Sequence, residues 1–157
     1  MKRALGYVGI VVLAVLAAAQ VYAAANPLFG TWKLNLAKSK YTGIPAPKEM
    51  TRVVEADGDS VKYTNTGTAA DGSPVSFVFT VKFDGKDYPI TGKAPFDADT
   101  IAIKRVTDSS YDATLKKGGT VVSTTKVAVS KDGKVTTVTG KGVVDPSKSS
   151  VAVYDKQ

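Results

Sequence analysis

The sequence predicts an all-β domain, an antiparallel up-and-down barrel of about eight to ten strands, with a two-sheet sandwich as the alternative architecture. Three observations predict it. From Asn26 onward, strong turn dipeptides punctuate the chain: Asp57-Gly58, Asp71-Gly72, Asp84-Gly85, Gly118-Gly119 and Asp132-Gly133. Glycine supplies the positive φ that tight hairpins demand. The segments between these turns either alternate apolar and polar residues or are dense in valine and threonine, both patterns of a pleated, half-buried surface. No stretch of helical period follows residue 25.

The elements follow in order. Lys2 and Arg3 precede an apolar run from Val8 to Ala19 and an Ala-x-Ala exit at Ala23 and Ala25, the order of a secretory signal. Residues 1–25 are therefore expected to be removed, with a mature start at Asn26 or alternatively Ala24. An uncleaved membrane anchor is the other reading, since the apolar part approaches the ~20 residues of a bilayer span. Residues 26–157 then form one domain. Strands are expected at 28–36, 49–55, 61–67, 75–83, 88–91, 100–106, 111–115, 120–130, 134–141 and 150–154, and residues 37–48, with Pro45 and Pro47, as a long loop. The clearest strand sets Val75, Phe77, Phe79, Val81 and Phe83 on one face against Ser76, Thr80 and Lys82 on the other. Tight turns pair sequential strands antiparallel, and curling shut removes the two long edges such a meander would otherwise leave.

Composition narrows the function. There are 21 Lys and Arg against 14 Asp and Glu, a formal charge of +7, no histidine and no cysteine. The lysines are spread out (Lys33, Lys62, Lys82, Lys104, Lys126, Lys141) rather than gathered into the patch a nucleic-acid binder shows. The absence of His and Cys removes the common general base, the Ser–His and Cys–His nucleophile pairs and the usual transition-metal ligands. Most aspartates sit in turns, Asp57-Gly58-Asp59 is too short for a calcium loop, and Gly118-Gly119 lacks the Lys-Ser or Lys-Thr of a phosphate loop. The expectation is a protein that is no enzyme, needs no cofactor or metal, and works as a monomer.

A binding surface remains. Arg52 and Arg105 are the only arginines after residue 25, and Arg105 shares a strand face with Ile101 and Ile103. A charge on an apolar face is costly unless partnered. Inside a barrel, Arg105 is expected to meet the carboxylate or phosphate head of an amphipathic ligand; at a strand end it would instead snorkel to water or stack on Trp32. Arg52, Tyr63 and Tyr111 join it as candidate ligand-binding residues, with Tyr41, Tyr88 and Tyr154 as further tyrosines able to line a pocket.

Gly30-Thr31-Trp32, with the chain's only tryptophan, lies on the first strand a few residues after the leader. It resembles the Gly-x-Trp start of lipocalins, whose tryptophan closes the bottom of the barrel. With "FDGKDYPITG", "IAIKRV", "LKKGGTVV", "SKDGK" and "VAVYDKQ", the whole mature chain resembles small exported bacterial lipocalin-like proteins, of calycin type and largely uncharacterised. The resemblance implies the barrel, with Gly30 and Trp32 as its closing motif. The family's Thr-Asp-Tyr motif is absent, Asp108-Ser109-Ser110-Tyr111 being an echo of it. The basic residue that packs on the tryptophan from the last strand has no clear match, Lys156 standing next to the C-terminus. The function expected is an exported carrier or scavenger of a small apolar or amphipathic ligand, periplasmic or secreted, with no membrane span after cleavage. The alternative is a structural or protein-interaction barrel with a filled interior, and cavity volume separates the two.

Overall fold

The computed structural model describes residues 26–157, so the leader expected at 1–25 lies outside the described residues. The strands are β1 Gly30–Leu34, β2 Lys40–Thr42, β3 Glu49–Asp57, β4 Ser60–Thr68, β5 Pro74–Val81, β6 Asp84–Pro89, β7 Thr91–Gly92, β8 Thr100–Thr107, β9 Ser110–Lys117, β10 Thr120–Val129, β11 Val135–Gly142 and β12 Ser149–Lys156. They form one antiparallel sheet in the order β6-β8-β9-β10-β11-β12-β1-β3-β4-β5-β7, with β2 added to β12. The sheet curls into a nearly closed barrel. The architecture is the expected one; the strand count of 12 exceeds the expectation, chiefly through the short β2 and β7.

The barrel has two unlike ends. Hairpins at 58–59, 108–109 and 130–134 gather at one end with the N-terminal segment, whose Leu28 is buried. The loops 43–48, 69–73, 93–99 and 143–148 gather at the other. Gly118 and Gly119 turn β9 into β10 with φ of 55° and 80°, the consecutive left-handed residues of the expected hairpin. Inward positions follow period two: on β5, Phe77, Phe79 and Val81 are buried while Pro74 and Ser76 are exposed.

Two local expectations are corrected. The segment 37–48 is not wholly a loop, because β2 within it pairs with β12 (Tyr41↔Ser150) after a short 3-10 turn at Leu36–Lys38 capped by Asn35. Asp84-Gly85 is not a hairpin turn but the start of β6, with Gly85 at a register slip between Asp84 and Asp87. The segment 84–92 changes partner along its length: β6 pairs with β8, and β7 pairs with β5 through Phe77↔Gly92 and Val78↔Thr91. Pro89, lacking an N–H, stands beside the switch. Along β6 itself, no backbone hydrogen bond reaches β5 among the described residues. Asp84, Lys86, Asp87 and Pro89 are exposed on β6, the charged and proline-bearing composition that protects an edge.

Candidate functional site

The inward faces do not fill the barrel. A cavity of about 480 Å³ runs from the loop-rich end down into the interior, within the range of small-molecule sites. Ile101, Ile103 and Leu115 on β8 and β9 face Phe77 and Phe79 on β5, with Val127 on β10 completing the apolar wall. The mouth is framed by Ile44, Pro45, Pro47, Ala69, Ala70 and Phe96. Phe96 and Asp97 hold positive φ of 58° and 52°, a backbone region that costs non-glycine residues energy and recurs at ligand clamps.

One guanidinium reaches this cavity. Met50, Arg52 and Val54 alternate inward on β3, so Arg52 stands one step above the buried Val54, directly opposite Trp32 in the β1–β3 register. Its Nε donates to Asn65 Oδ1 at 2.8 Å, and its carbon centre lies 5.2 Å from the Tyr154 ring centroid. Its terminal nitrogens make no hydrogen bond among the described residues, and no carboxylate there lies within ion-pair distance of it. Burial works against the charge, the oxygens of Tyr154, Tyr111, Tyr63 and Tyr41 favour it, and the balance raises the guanidinium pKa. Tyr41 is a half-buried neighbour whose hydroxyl is pushed up to about 12 by burial and then by Tyr154, with Arg52 pulling the other way. Its hydroxyl therefore keeps its proton, and can donate a hydrogen bond, across the physiological range.

Tyr111 lines the cavity, whereas Tyr63 lies beneath the floor, only 1% exposed, with its ring stacked on Phe79 at 4.8 Å and edge-on to Tyr111 at 6.2 Å. Burial, followed by Tyr111, raises the Tyr63 hydroxyl well above an ordinary phenol, and that hydroxyl has no hydrogen-bond partner among the described residues. Below Arg52 a second void of about 10 Å³, bordered by Tyr63 and Thr136, separates the cavity floor from Trp32.

The structure does not bring Arg105 to the cavity. Residues 101 and 103 point inward and are buried, but Arg105 is the last step before a register slip at Thr107, at the hairpin-rich end below the floor. It is exposed, lies 4.3 Å from the Phe83 ring centroid and donates to the Asp108 carbonyl at 3.4 Å. The aromatic it stacks on is Phe83, not Trp32.

Gly30 and Trp32 seal that same end. Trp32 is 2% exposed and its Nε1 donates to the Leu28 carbonyl at 3.0 Å. Lys156, given no clear part by the sequence pattern, pairs with Trp32 across β1 and β12 and sets its ammonium 5.0 Å from the ring centroid. Gly30, at φ 133°, is glycine for a second reason, since a Cβ there would come within 2.7 Å of Lys156 Cε.

Asn65 is the site residue the sequence reading missed. It is wholly buried, follows Val61 and Tyr63 on the inward parity of β4, and its Nδ2 has no partner among the described residues. An amide at an apolar parity was the readable signal. Phe96 and the rim loops carry no such signal.

The fold and the site define a small antiparallel β-barrel with an internal, mostly apolar cavity open at one end. No protein-family model matches the chain, and no curated protein matches it. Among solved structures it is similar to a redesigned β-barrel bound to DFHBI, at TM-score 0.46 and 13% identity over 85% of this chain and 99% of that one. It is similar to a de novo designed fluorescence-activating β-barrel at TM-score 0.45 and 12% identity, over 86% and 98%. It is also similar to a biogenic amine-binding protein, solved as a selenomethionine derivative, at TM-score 0.46 and 12% identity, over 82% of this chain and 63% of that longer one.

Proposed function

We propose that this chain is an exported, lipocalin-like binding protein of the bacterial envelope. It holds a small apolar or amphipathic molecule in its barrel and carries out no catalysis. The observation that carries the reading is the cavity of about 480 Å³, a volume that a barrel with a filled interior would not leave. The signal-like pattern of residues 1–25 and the lack of histidine and cysteine support export and a non-catalytic role.

The test is saturable binding of the neutral dye N-phenyl-naphthylamine by the purified protein. Wild type is expected to enhance its fluorescence at one site, and Ala113→Phe or Ala152→Phe, each adding bulk to the cavity wall, to weaken it. Folded wild-type protein that binds no dye would end the reading. The mass of the exported protein, expected to start at Asn26, tests the leader.

A further inference from the structure

The cavity has a polar pole and an apolar body. Arg52 and Lys93 are the cations among its lining residues and Asp97 the carboxylate, and both Lys93 and Asp97 stand on the exposed mouth loop. Arg52 is thus the one charged group in the depth of the cavity. A partly buried guanidinium with no anionic partner is costly, and this one is held in place rather than left to swing out. Asn65, itself fully buried, fixes Nε at 2.8 Å, and the Tyr154 ring supports its carbon centre at 5.2 Å. Fixing Nε leaves the two terminal amino groups as a fork, the geometry that meets two oxygens of a carboxylate or phosphate at once. Tyr41, Tyr111 and Tyr154 line the same part of the cavity and bring phenolic donors beside that fork. From there to the mouth the wall is mostly aliphatic and aromatic, with the small hydroxyls of Ser123, Thr125, Ser149 and Ser150 set among it.

We infer that the ligand is a single-tailed anionic amphiphile, its carboxylate or phosphate head seated at depth on Arg52 with tyrosine hydroxyls beside it, and its apolar tail running up to Phe96 at the mouth. This rests on the cavity being the binding site. It assigns to Arg52 the part that strand parity gave to Arg105.

Calorimetric titration of the purified protein with dodecanoate, dodecyl phosphate and dodecanol tests it. Wild type is expected to bind at least one of the two anions about tenfold or more tighter than the alcohol, the worth of a charge-assisted hydrogen bond. Which anion binds tighter tells a fatty-acid head from a phosphate one. Arg52→Met is expected to lose that preference while keeping the alcohol within about threefold, and Arg52→Lys to keep part of it. Equal binding of acid and alcohol by wild type would overturn the inference while leaving the cavity as a binding site, and this reading needs no mutant to fold. Parallel weakening of acid and alcohol in a folded Arg52→Met would overturn it too. Failure of all three probes to bind would overturn both the inference and the carrier reading.

Discussion

Lys156 reaches across Gly30 to set its ammonium 5.0 Å from the centre of the Trp32 ring, so the strand that ends the chain is bolted to the strand that opens the barrel. The bolt and the glycine depend on each other. A side chain at residue 30 would have to displace Lys156, and the φ of 133° there suits no L residue.

Gly30→Ala is therefore expected to cost ~1–3 kcal/mol of stability, the range for a residue forced into a sparse backbone region. Lys156→Met is expected to cost ~0.5–2 kcal/mol for the lost cation–π contact. Since Gly30→Ala already dislodges Lys156, the double variant should cost less than the sum of the two. Urea melts of the four proteins measure this, and strict additivity would show the two residues to be independent.

Arg105→Met is expected to lower stability by only ~0.5–1 kcal/mol, because Arg105 is an exposed cation over Phe83. Affinity for every dodecyl probe should be unchanged. A selective loss of dodecanoate binding would return Arg105 to the site.

Stability is expected to be level through the range where histidine would titrate, since the chain has none. It should fall at alkaline pH. Tyr41 is raised to about 12, and burial also raises Tyr63 and Tyr111. The unfolded chain releases these protons near pH ~10 while the folded chain holds them. Their contribution is thus complete below pH ~10 and is lost as pH climbs toward the folded values. On the acid side the sign reverses. The carboxyls of Asp59, Asp71, Asp132, Asp145 and Asp155 are held below the ordinary value by hydrogen bonds from Lys82, Ser73, Ser130, Ser147 and Asn35. Their contribution is present above pH ~4 and fades as pH falls below it. Denaturant midpoints against pH, with tyrosinate absorbance on the alkaline side, check both limbs. Tyrosines 41, 63 and 111 titrating near pH 10 in protein that stays folded would contradict the first.

Amide hydrogen exchange is expected to be fastest, among the strands, in β2, β6 and β7. Each is paired on one side over a short length, whereas β4, β9 and β10 are paired on both. Protection of β6 equal to that of β9 would contradict the splayed seam.

Much of this molecule was legible in its sequence because period two is a strong signal when one face is buried. Phe77, Phe79 and Val81 declare β5, and the Asp-Gly and Gly-Gly pairs set most of the hairpins. The same rule left Arg105 open between the barrel interior and a strand end, and the structure places it at the strand end. Parity says which side of a strand a residue takes, not how far along the barrel it lies, and Arg105 falls below the cavity, over Phe83, whose ring meets Tyr111 edge-on. Arg52 sits at the same kind of parity but one inward step above the buried Val54, inside the cavity. Depth depends on the stagger of every strand, which no local pattern records. Lys156 was illegible for a related reason: its partner across the sheet lies at the far end of the chain.

The unfastened stretch between β5 and β6 has a mechanical meaning. A cylinder laced by backbone hydrogen bonds around its whole girth has a circumference set by strand number and stagger, and it can widen only by breaking those bonds. Here the short β7 ties β5 where Gly92 meets Phe77 and Thr91 meets Val78, and the lacing lapses along β6. Along that stretch the wall can widen at the expense of side-chain contacts alone. On the carrier reading proposed above, a guest would meet one gauge at the rim and one compliant stave in the wall.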